Sequence, residues 1–291
     1  MRWAFGILLV LGLVTPALAA DFDVDILRGP NYAAPAIPAA PALPVGPATF
    51  TRWAGFYVGG QVGYGDANAD FSQATQALVA YALRDTTLEN EQAPSQWPVL
   101  GDANQSAIGY GAFAGYNSQW QDLILGMEAN FNRAAFSLHA PSTPISRVTS
   151  DSTGSAYLVT FTANGSVVEQ NFATLRLRAG WVVGNFLPYG FIGAATAVAN
   201  TTVAVTGNAI QYTSGTIGVC SASQPCGSQS INNGFNANST VLYGLTFGGG
   251  VDVALIQNVF LRAEFEFDEF NPPPHFLMSV ASGRVGAGLK F

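Results

Sequence analysis

The sequence predicts an all-β fold, an eight-stranded antiparallel transmembrane up-and-down β-barrel with long extracellular loops. The last nine residues alternate, so that one face holds Val285, Ala287, Leu289 and Phe291 while the opposite face holds two basic residues. A barrel strand alternates in this way because one side meets lipid and the other meets a polar lumen. The chain is 49% hydrophobic but only 10% charged. Beyond its first twenty residues no apolar run approaches the roughly 18 residues of a membrane helix, which leaves the closed barrel.

The N-terminal segments precede this barrel. Residues 1–20 are typical of a secretory signal peptide, with Arg2 before an apolar run and an A-x-A cleavage sequence from Ala17 to Ala19. Residues 21–52 are rich in proline and alanine, and we interpret them as an extended periplasmic leader. The barrel then occupies residues 53–291. Removal of Arg2 changes the formal charge from -7 to -8, which argues against a nucleic-acid partner.

The predicted strands follow the alternation along the chain. They cover residues 54–65, 106–117, 123–132, 170–183, 186–200, 239–253 and 258–269, and the eighth ends at Phe291. In the fifth strand we assign Leu187, Tyr189 and Phe191 to the lipid face. The connections after strands two, four and six are short and those after one, three and five are long, which places the former in the periplasm and the latter outside.

Aromatic residues are expected at both edges of the lipid band. The periplasmic edge would hold Trp53, Phe56, Trp120 and Trp181, and the outer edge would hold Tyr64, Tyr110, Phe131 and Phe267.

The phase of the strands turns ten charged side chains toward the lumen. Five are basic and five acidic, and they are Glu128, Arg176, Arg178, Asp252, Arg262, Glu264, Glu266, Asp268, Arg284 and Lys290. An eight-stranded barrel has little interior room, so we expect these charges to pair in an ion network that acts as a structural plug. Inward glycines such as Gly59, Gly63 and Gly288 leave the alternative that water threads past the network.

The predicted loops carry the remaining candidates. In the first loop, residues 67–105, Leu78 and Tyr81 lie at helical spacing, which indicates either a short helix over the mouth or a solvated loop. The second loop, residues 134–169, contains an alternating stretch from Tyr157 to Phe161 that extends the neighbouring strands. In the third, residues 201–238, Cys220 and Cys226 predict a disulfide, because the export route is oxidising.

Catalysis finds little support in the sequence. The two histidines, His139 and His275, both fall in predicted external loops without the spacing of a nucleophilic triad. We therefore expect no enzyme, metal site or cofactor, although the two imidazoles keep open the hypothesis of an external haem site. Arg133, at the outer end of the third strand, is a candidate contact for lipopolysaccharide phosphate.

The glycine and aromatic positions at residues 53–65, 174–197 and 283–291 resemble the small outer-membrane barrels of alphaproteobacteria, a porin-like surface-antigen family related to the OmpA barrel. The resemblance covers the strands and not the long loops. It implies insertion by the outer-membrane assembly machinery, with the terminal aromatic Phe291 as the assembly signal. It also implies envelope-stabilising, antigenic, haemin-binding or porin roles.

The sequence thus predicts an outer-membrane barrel of a Gram-negative bacterium with a structural, surface-exposed role in the cell envelope. Its expected partners are outer-membrane lipid and lipopolysaccharide, and we expect a monomer. Two alternatives remain at this stage. The barrel could be a small porin for passive diffusion of hydrophilic solutes, or its loops could form a binding protein such as an adhesin or haemin binder.

Overall fold

A computed structural model describes residues 52–271 and 277–291. Within these ranges nine strands form one antiparallel sheet, in the spatial order β3-β2-β1-β9-β8-β7-β6-β5-β4. The strands are β1 (Gly55–Asp70), β2 (Asp102–Trp120), β3 (Leu123–Ala140), β4 (Ile145–Ser150), β5 (Ala156–Trp181), β6 (Phe186–Tyr212), β7 (Cys226–Ile256), β8 (Val259–Phe270) and β9 (Leu277–Lys290). Because β3 also pairs with β5, eight strands close a ring and β4 lies beside it. This confirms the predicted barrel; the signal peptide and nearly all of the leader fall outside the described residues.

The connection between β1 and β2 folds into a small helical unit. It contains α1 (Gln76–Ala82), α2 (Thr87–Gln92) and a 3₁₀ turn at Pro94–Gln96, and we call these elements the lid. The hydroxyl of Thr86 caps α2 by accepting a hydrogen bond of 3.1 Å from the Glu89 amide. Of the two alternatives that the sequence left open for the first loop, the structure shows the short helix. Neither helix in the described part of the chain has the length and apolar character to cross a membrane.

The connections between strands are short at one end of the barrel and longer at the other. The turns after β2, β5 and β7 are short and define the turn end, whereas the lid and the other long connections define the loop end. Strands β5, β6 and β7 contain 26, 27 and 31 residues, two to three times the roughly ten that cross a bilayer. Most of the predicted second and third loops is therefore strand. Inward apolar residues such as Val167, Val203 and Val205 continue the alternation and give these extensions a core.

A line of β-bulges separates the two halves of the barrel. The register shifts between Arg133 and Phe136 on β3, between Glu169 and Asn171 on β5, and beside Ala199 on β6. Because the register pairs Glu169 with both Phe136 and Ala199, the three shifts lie at one height. Toward the turn end the outer surface is an apolar band. At or just beyond the bulges it becomes polar, with exposed side chains at Asp66, Arg133, Gln170 and Asn200.

Two predicted orientations are wrong. Trp53 is not part of an outer aromatic girdle but is buried inside the turn end. Leu187, Tyr189 and Phe191 also point inward, and their neighbours Phe186 and Ile192 are exposed. Each strand has a side-chain period of two, so placing the strand start one residue off assigns every side chain to the wrong face. Phe56, Trp120 and Trp181 remain outward, as predicted.

Candidate functional site: the filled lumen

Strand register brings the lumenal charges together. Glu128 lies opposite Arg176 across β3 and β5, Asp252 opposite Arg262 across β7 and β8, and Glu264 opposite Arg284 across β8 and β9. On the other neighbouring strand, most of these residues are paired with a glycine, as Arg176 is paired with Gly193. Because a counter-charge lies on one neighbouring strand and a glycine on the other leaves space, the long charged side chains can cross the lumen. We call the eight residues joined in this way the ion network; they are Glu128, Arg176, Arg178, Asp252, Arg262, Glu264, Glu266 and Arg284.

Glu128 is the centre of the ion network. Its carboxylate lies 2.5 Å from Arg176, 3.1 Å from Arg178 and 2.9 Å from Arg262, and it accepts a hydrogen bond of 2.6 Å from the Tyr57 hydroxyl. The residue is only 1% exposed. One carboxylate thus forms ion pairs with three guanidinium groups. These pairs offset the free-energy cost that each charge would have if it were buried alone.

The second half of the network surrounds Glu264 and Glu266. Glu264 lies 2.6 Å from Arg176 and 3.3 Å from Arg284, and Glu266 pairs with the same two arginines. The Tyr189 hydroxyl donates to Glu264 at 2.7 Å. Arg176 therefore joins both halves, and four basic groups balance four acidic groups.

Aromatic rings pack against the arginines of the ion network on the side that faces the turn end. The guanidinium of Arg178 lies 3.8 Å from the Tyr189 ring centre, and that of Arg262 lies 4.0 Å from the Phe113 ring centre. These rings belong to a buried cluster that we call the aromatic layer, which contains Trp53, Tyr57, Phe113, Ile124, Val182, Leu187, Tyr189, Phe191, Ala254 and Phe260. Its position between the turn end and the network closes the lower lumen, and the stacked cations gain cation–π stabilisation.

The inward glycines do not leave a water path. A side chain at Gly59 would collide with the ring of Phe113, one at Gly288 would collide with the ring of Phe260, and one at Gly63 would meet the Arg284 side chain. The space that these glycines free is therefore occupied by the large side chains opposite. A cavity of about 20 Å³ remains beside Gln61 and Arg284, which is room for about one water molecule.

Lys290 and Asp268 were predicted to belong to the ion network, and the structure places both outside it. Lys290 lies beyond the aromatic layer, where its ammonium group is 4.1 Å from the Trp53 ring centre and donates to the Arg52 carbonyl at 3.1 Å. Asp268 lies nearer the loop end than Glu266, opposite Thr246 and Val280. With no cation across from it, it forms no ion pair among residues 52–271 and 277–291.

Beyond the bulges the lumen is filled by apolar side chains. We call this cluster the upper core; it includes Phe71, Val79, Leu88, Phe136, Phe161, Val203 and Ile231. The lid contributes Val79 and Leu88, which are each 1% exposed. The inner side of the lid therefore belongs to the upper core, and this packing explains why helices form where the sequence also allowed a solvated loop.

Hydrogen bonds tie the lid to two parts of the barrel wall, β7 and the turn between β4 and β5. On one wall, the side-chain amides of Gln229 and Asn233 on β7 donate to the carbonyls of Ala82 at 3.1 Å and Leu78 at 2.9 Å. On the other wall, Asp151 in the turn between β4 and β5 accepts from Thr87 of α2 at 3.3 Å. Both attachments restrict movement of the lid away from the barrel.

Glu169 is a buried carboxyl that the sequence-based prediction missed. It is 0% exposed, and neither carboxyl oxygen has a hydrogen-bond partner within the described part of the chain. Burial raises the pKa of Glu169 to about 8, because a charged carboxylate is disfavoured in an apolar core. Glu169 shares its inward phase with Val167, and continuing the alternation from Tyr157 would have identified it.

The remaining candidates lie away from the lumen. Cys220 and Cys226 form a disulfide with a Cα–Cα distance of 5.5 Å. The His139 ring lies 3.2 Å from the Ser137 hydroxyl on an exposed part of β3, and His275 lies outside the described residues. Arg133 is exposed near the bulges, and the ring of Phe291 is exposed at the turn end. The two cysteines are thus joined, whereas the structure gives His139 no second imidazole partner within residues 52–271 and 277–291.

Comparison with known proteins agrees with this architecture. A family model described as outer membrane protein beta-barrel domain matches residues 36–291. The 25 kDa outer-membrane immunogenic protein of Brucella ovis is 24% identical over 292 residues, and that of Brucella melitensis is 23% identical over 300 residues, each covering 100% of both chains.

Among solved structures, the attachment invasion locus protein Ail of Yersinia pestis matches 82% of this chain and 99% of its own with 12% identity and a TM-score of 0.31. Neisserial surface protein A matches 82% of this chain and 98% of its own with 13% identity and a TM-score of 0.36. The family match covers the whole barrel and fits its apolar outer band. The chain belongs to the outer membrane protein β-barrel family and is an outer-membrane protein.

Proposed function

We propose that this protein is a closed, non-catalytic barrel that reinforces the cell envelope and displays its loop end outside the cell. The filling of the lumen at three successive heights carries this proposal. The aromatic layer, the ion network and the upper core follow one another from the turn end to the lid. A barrel filled in this way gains rigidity, and its function then rests on its surfaces.

The proposed role includes the partners expected from the sequence. Phe291 would be read by the assembly machinery; its ring is 74% exposed, and its amide donates to the Phe56 carbonyl at 2.9 Å, which fixes the end of the chain in the sheet. Arg133 is exposed near the polar border of the apolar band, which supports the proposed contact with lipopolysaccharide phosphate. Ring closure leaves no open edge on the lower barrel, which favours a monomer.

The porin alternative predicts a different lumen. A channel needs a continuous wet path, whereas Arg176 and Glu128 bridge β3, β5 and β8 at mid-height and Phe260 lies below them. Water could pass only if several buried ion pairs separated together. This arrangement favours the plug over slow diffusion.

Liposome swelling and planar-bilayer recording test the proposal. Purified, refolded protein is reconstituted, and its folded state is confirmed by its mobility on an unheated SDS gel. We expect no swelling in small sugars and no conductance steps, while a general diffusion porin in the same lipid gives both. Discrete steps from the wild-type protein would overturn the closed barrel. Steps from a Glu128→Gln variant alone would show that the network acts as a gate.

A further inference from the structure

A polar groove runs along the rim of the loop end, between the lid and β7. It consists of two adjoining cavities of about 400 and 510 Å³, which meet at Asp85 and Gln229. Ligand sites typically fall between about 300 and 1,000 Å³. The groove lies beyond the bulges, on the half of the barrel that the proposed orientation exposes to the outside. Its walls come from the lid around the α1–α2 junction, from the part of β7 that rises above β8 and, in the smaller cavity, from Tyr157 on β5 and Ala209 and Gln211 on β6.

The walls present hydrogen-bonding groups with little net charge. Gln211, Ser228 and Asn232 line the groove, and none of these side chains has a hydrogen-bond partner within the described part of the protein. The formal charges of the lining come from Arg84 and Asp85, which are adjacent and of opposite sign. A phosphate or sulfate ligand would need a surplus of basic groups, and an apolar ligand would need apolar walls. The lining instead suits a neutral molecule rich in hydroxyl groups.

An aromatic ring lies in the larger cavity. Tyr81 is 63% exposed, and the guanidinium of Arg84 lies 4.1 Å from its ring centre. The cation fixes the ring against the lid, and much of the ring stays accessible. The negative face and polar tip of a tyrosine suit a partner that combines C–H groups and hydroxyls on one ring, as a pyranose does.

The groove is also held in shape before any ligand arrives. Gln229 and Asn233 use their amide N–H groups to bind the lid carbonyls at 3.1 and 2.9 Å. Their amide oxygens accept no hydrogen bond from the residues that the structure describes, so both remain available to a hydroxyl donor. The Cys220–Cys226 disulfide ends at the first residue of β7, directly before groove residues 227–229. Such preorganisation lowers the entropy cost of binding.

We propose that this groove binds an uncharged oligosaccharide of two or three sugar units, with Tyr81 as the stacking residue and Asn232, Gln229 and Asn233 as the polar contacts. This goes beyond the closed-barrel role, because a surface groove can recognise a glycan whether or not the lumen conducts. The same chemistry would recognise a free saccharide or the neutral sugar chain of a surface glycolipid.

The test uses the full, folded protein in detergent on an array of neutral hexose and N-acetylhexosamine oligosaccharides beside sulfated and sialylated ones. We expect binding to neutral oligosaccharides. Titration with the best-bound free oligosaccharide should show about a tenfold loss of affinity in Tyr81→Ala and in Asn232→Ala, as expected for loss of one stacking or hydrogen-bonding group. Competition by the free saccharide against a glycolipid bearing the same sugars then identifies which source binds better.

Asn236→Ala is the matched control. Asn236 is exposed on β7 four residues beyond Asn232, and it does not line either cavity. Its replacement should leave affinity unchanged, and an unheated gel checks that all variants remain folded. Absence of binding to every neutral oligosaccharide at millimolar concentration would overturn the proposal. Binding only to sulfated or sialylated glycans, or an equal loss in Asn236→Ala, would overturn it as well.

Discussion

Replacing the central carboxylate should destabilise the barrel more than any change at an exposed acid. In Glu128→Gln the side chain keeps its shape but loses the charge that faces Arg176, Arg178 and Arg262 at 2.5 to 3.1 Å. Four arginines then share three carboxylates, and the repulsion between the guanidinium groups is no longer offset. The amide can also no longer accept hydrogen bonds at both former oxygens.

The magnitude follows from the geometry. With an effective dielectric constant of about 20, two unit charges about 4 Å apart interact by roughly 4 kcal/mol. Three such attractions are lost, but the cost of burying the carboxylate is recovered, so the net effect is far smaller than their sum. Removing one member of a buried ion pair typically costs about 3–5 kcal/mol. For a domain of this size that loss lowers the melting temperature by roughly 10 °C.

Urea unfolding in lipid vesicles, followed by tryptophan fluorescence, measures the difference. Glu269→Gln is the matched control, because Glu269 lies on β8 with its side chain exposed, and it should change stability by less than about 0.5 kcal/mol. Combining Glu128→Gln with Arg178→Gln restores three positive to three negative groups and should recover part of the loss. If Glu128→Gln unfolds at the same urea concentration as the wild type, the ion network does not stabilise the barrel.

Two further predictions concern carboxyl groups at the loop end. The pKa of Glu169 is about 8 in the folded protein and 4.5 ordinarily, so the folded state holds a proton that the unfolded chain has released, and stability falls as pH rises through this window. Glu169→Gln should match the wild type near pH 4.5 and exceed it by up to roughly 5 kcal/mol above pH 8, measured by urea unfolding; a constant difference at all pH values would contradict this. A hydrogen bond from the Thr153 side chain lowers the pKa of Asp151 below its usual 3.8, so its contribution is present above that value and is lost as pH falls further. Acidification below about pH 3.8, or Asp151→Asn at neutral pH, should lower the protection of the α2 amides against hydrogen exchange, measured relative to the intrinsic exchange rate at the same pH; unchanged protection in both would show that Asp151 does not hold the lid.

The period of two made much of the lumen predictable. Counting inward positions from the sequence selected ten charges, and the structure joins eight of them in the ion network. Lys290 and Asp268 have the correct phase but the wrong height. Phase says which way a side chain points, whereas pairing also requires a counter-charge at the same level across the neighbouring strand.

Other features depend on packing that one strand does not reveal. The outer parts of β6 and β7 are rich in Asn, Thr, Ser and Gly, a composition typical of loops, and their strand character depends on inward residues such as Val203 and Ile231. The orientation predicted for Leu187 was wrong because β6 begins directly after a tight turn. An error of one residue in the start of the strand there reverses the inward and outward positions. Trp53 precedes β1, so no alternation indicated that it enters the lumen.

The order of the three fillings explains why charges occupy the middle of the barrel. Around the network the wall faces lipid, and a narrow lumen can be crossed by long arginine and glutamate side chains that pair from strand to strand. Beyond the bulges the outer wall is polar, as on a water-soluble protein, and the interior is filled by the lid and by apolar side chains. The bulges lie where the ion network gives way to the apolar upper core. An extra residue in a strand reverses which of the following side chains point inward, so the bulges allow this change. At the height of the ion network the barrel is therefore polar inside and apolar outside, and beyond the bulges it is the reverse. Glu169, located at the bulge on β5, is a buried acidic group on the apolar side of that boundary, which is why it lacks the partners that Glu128 has.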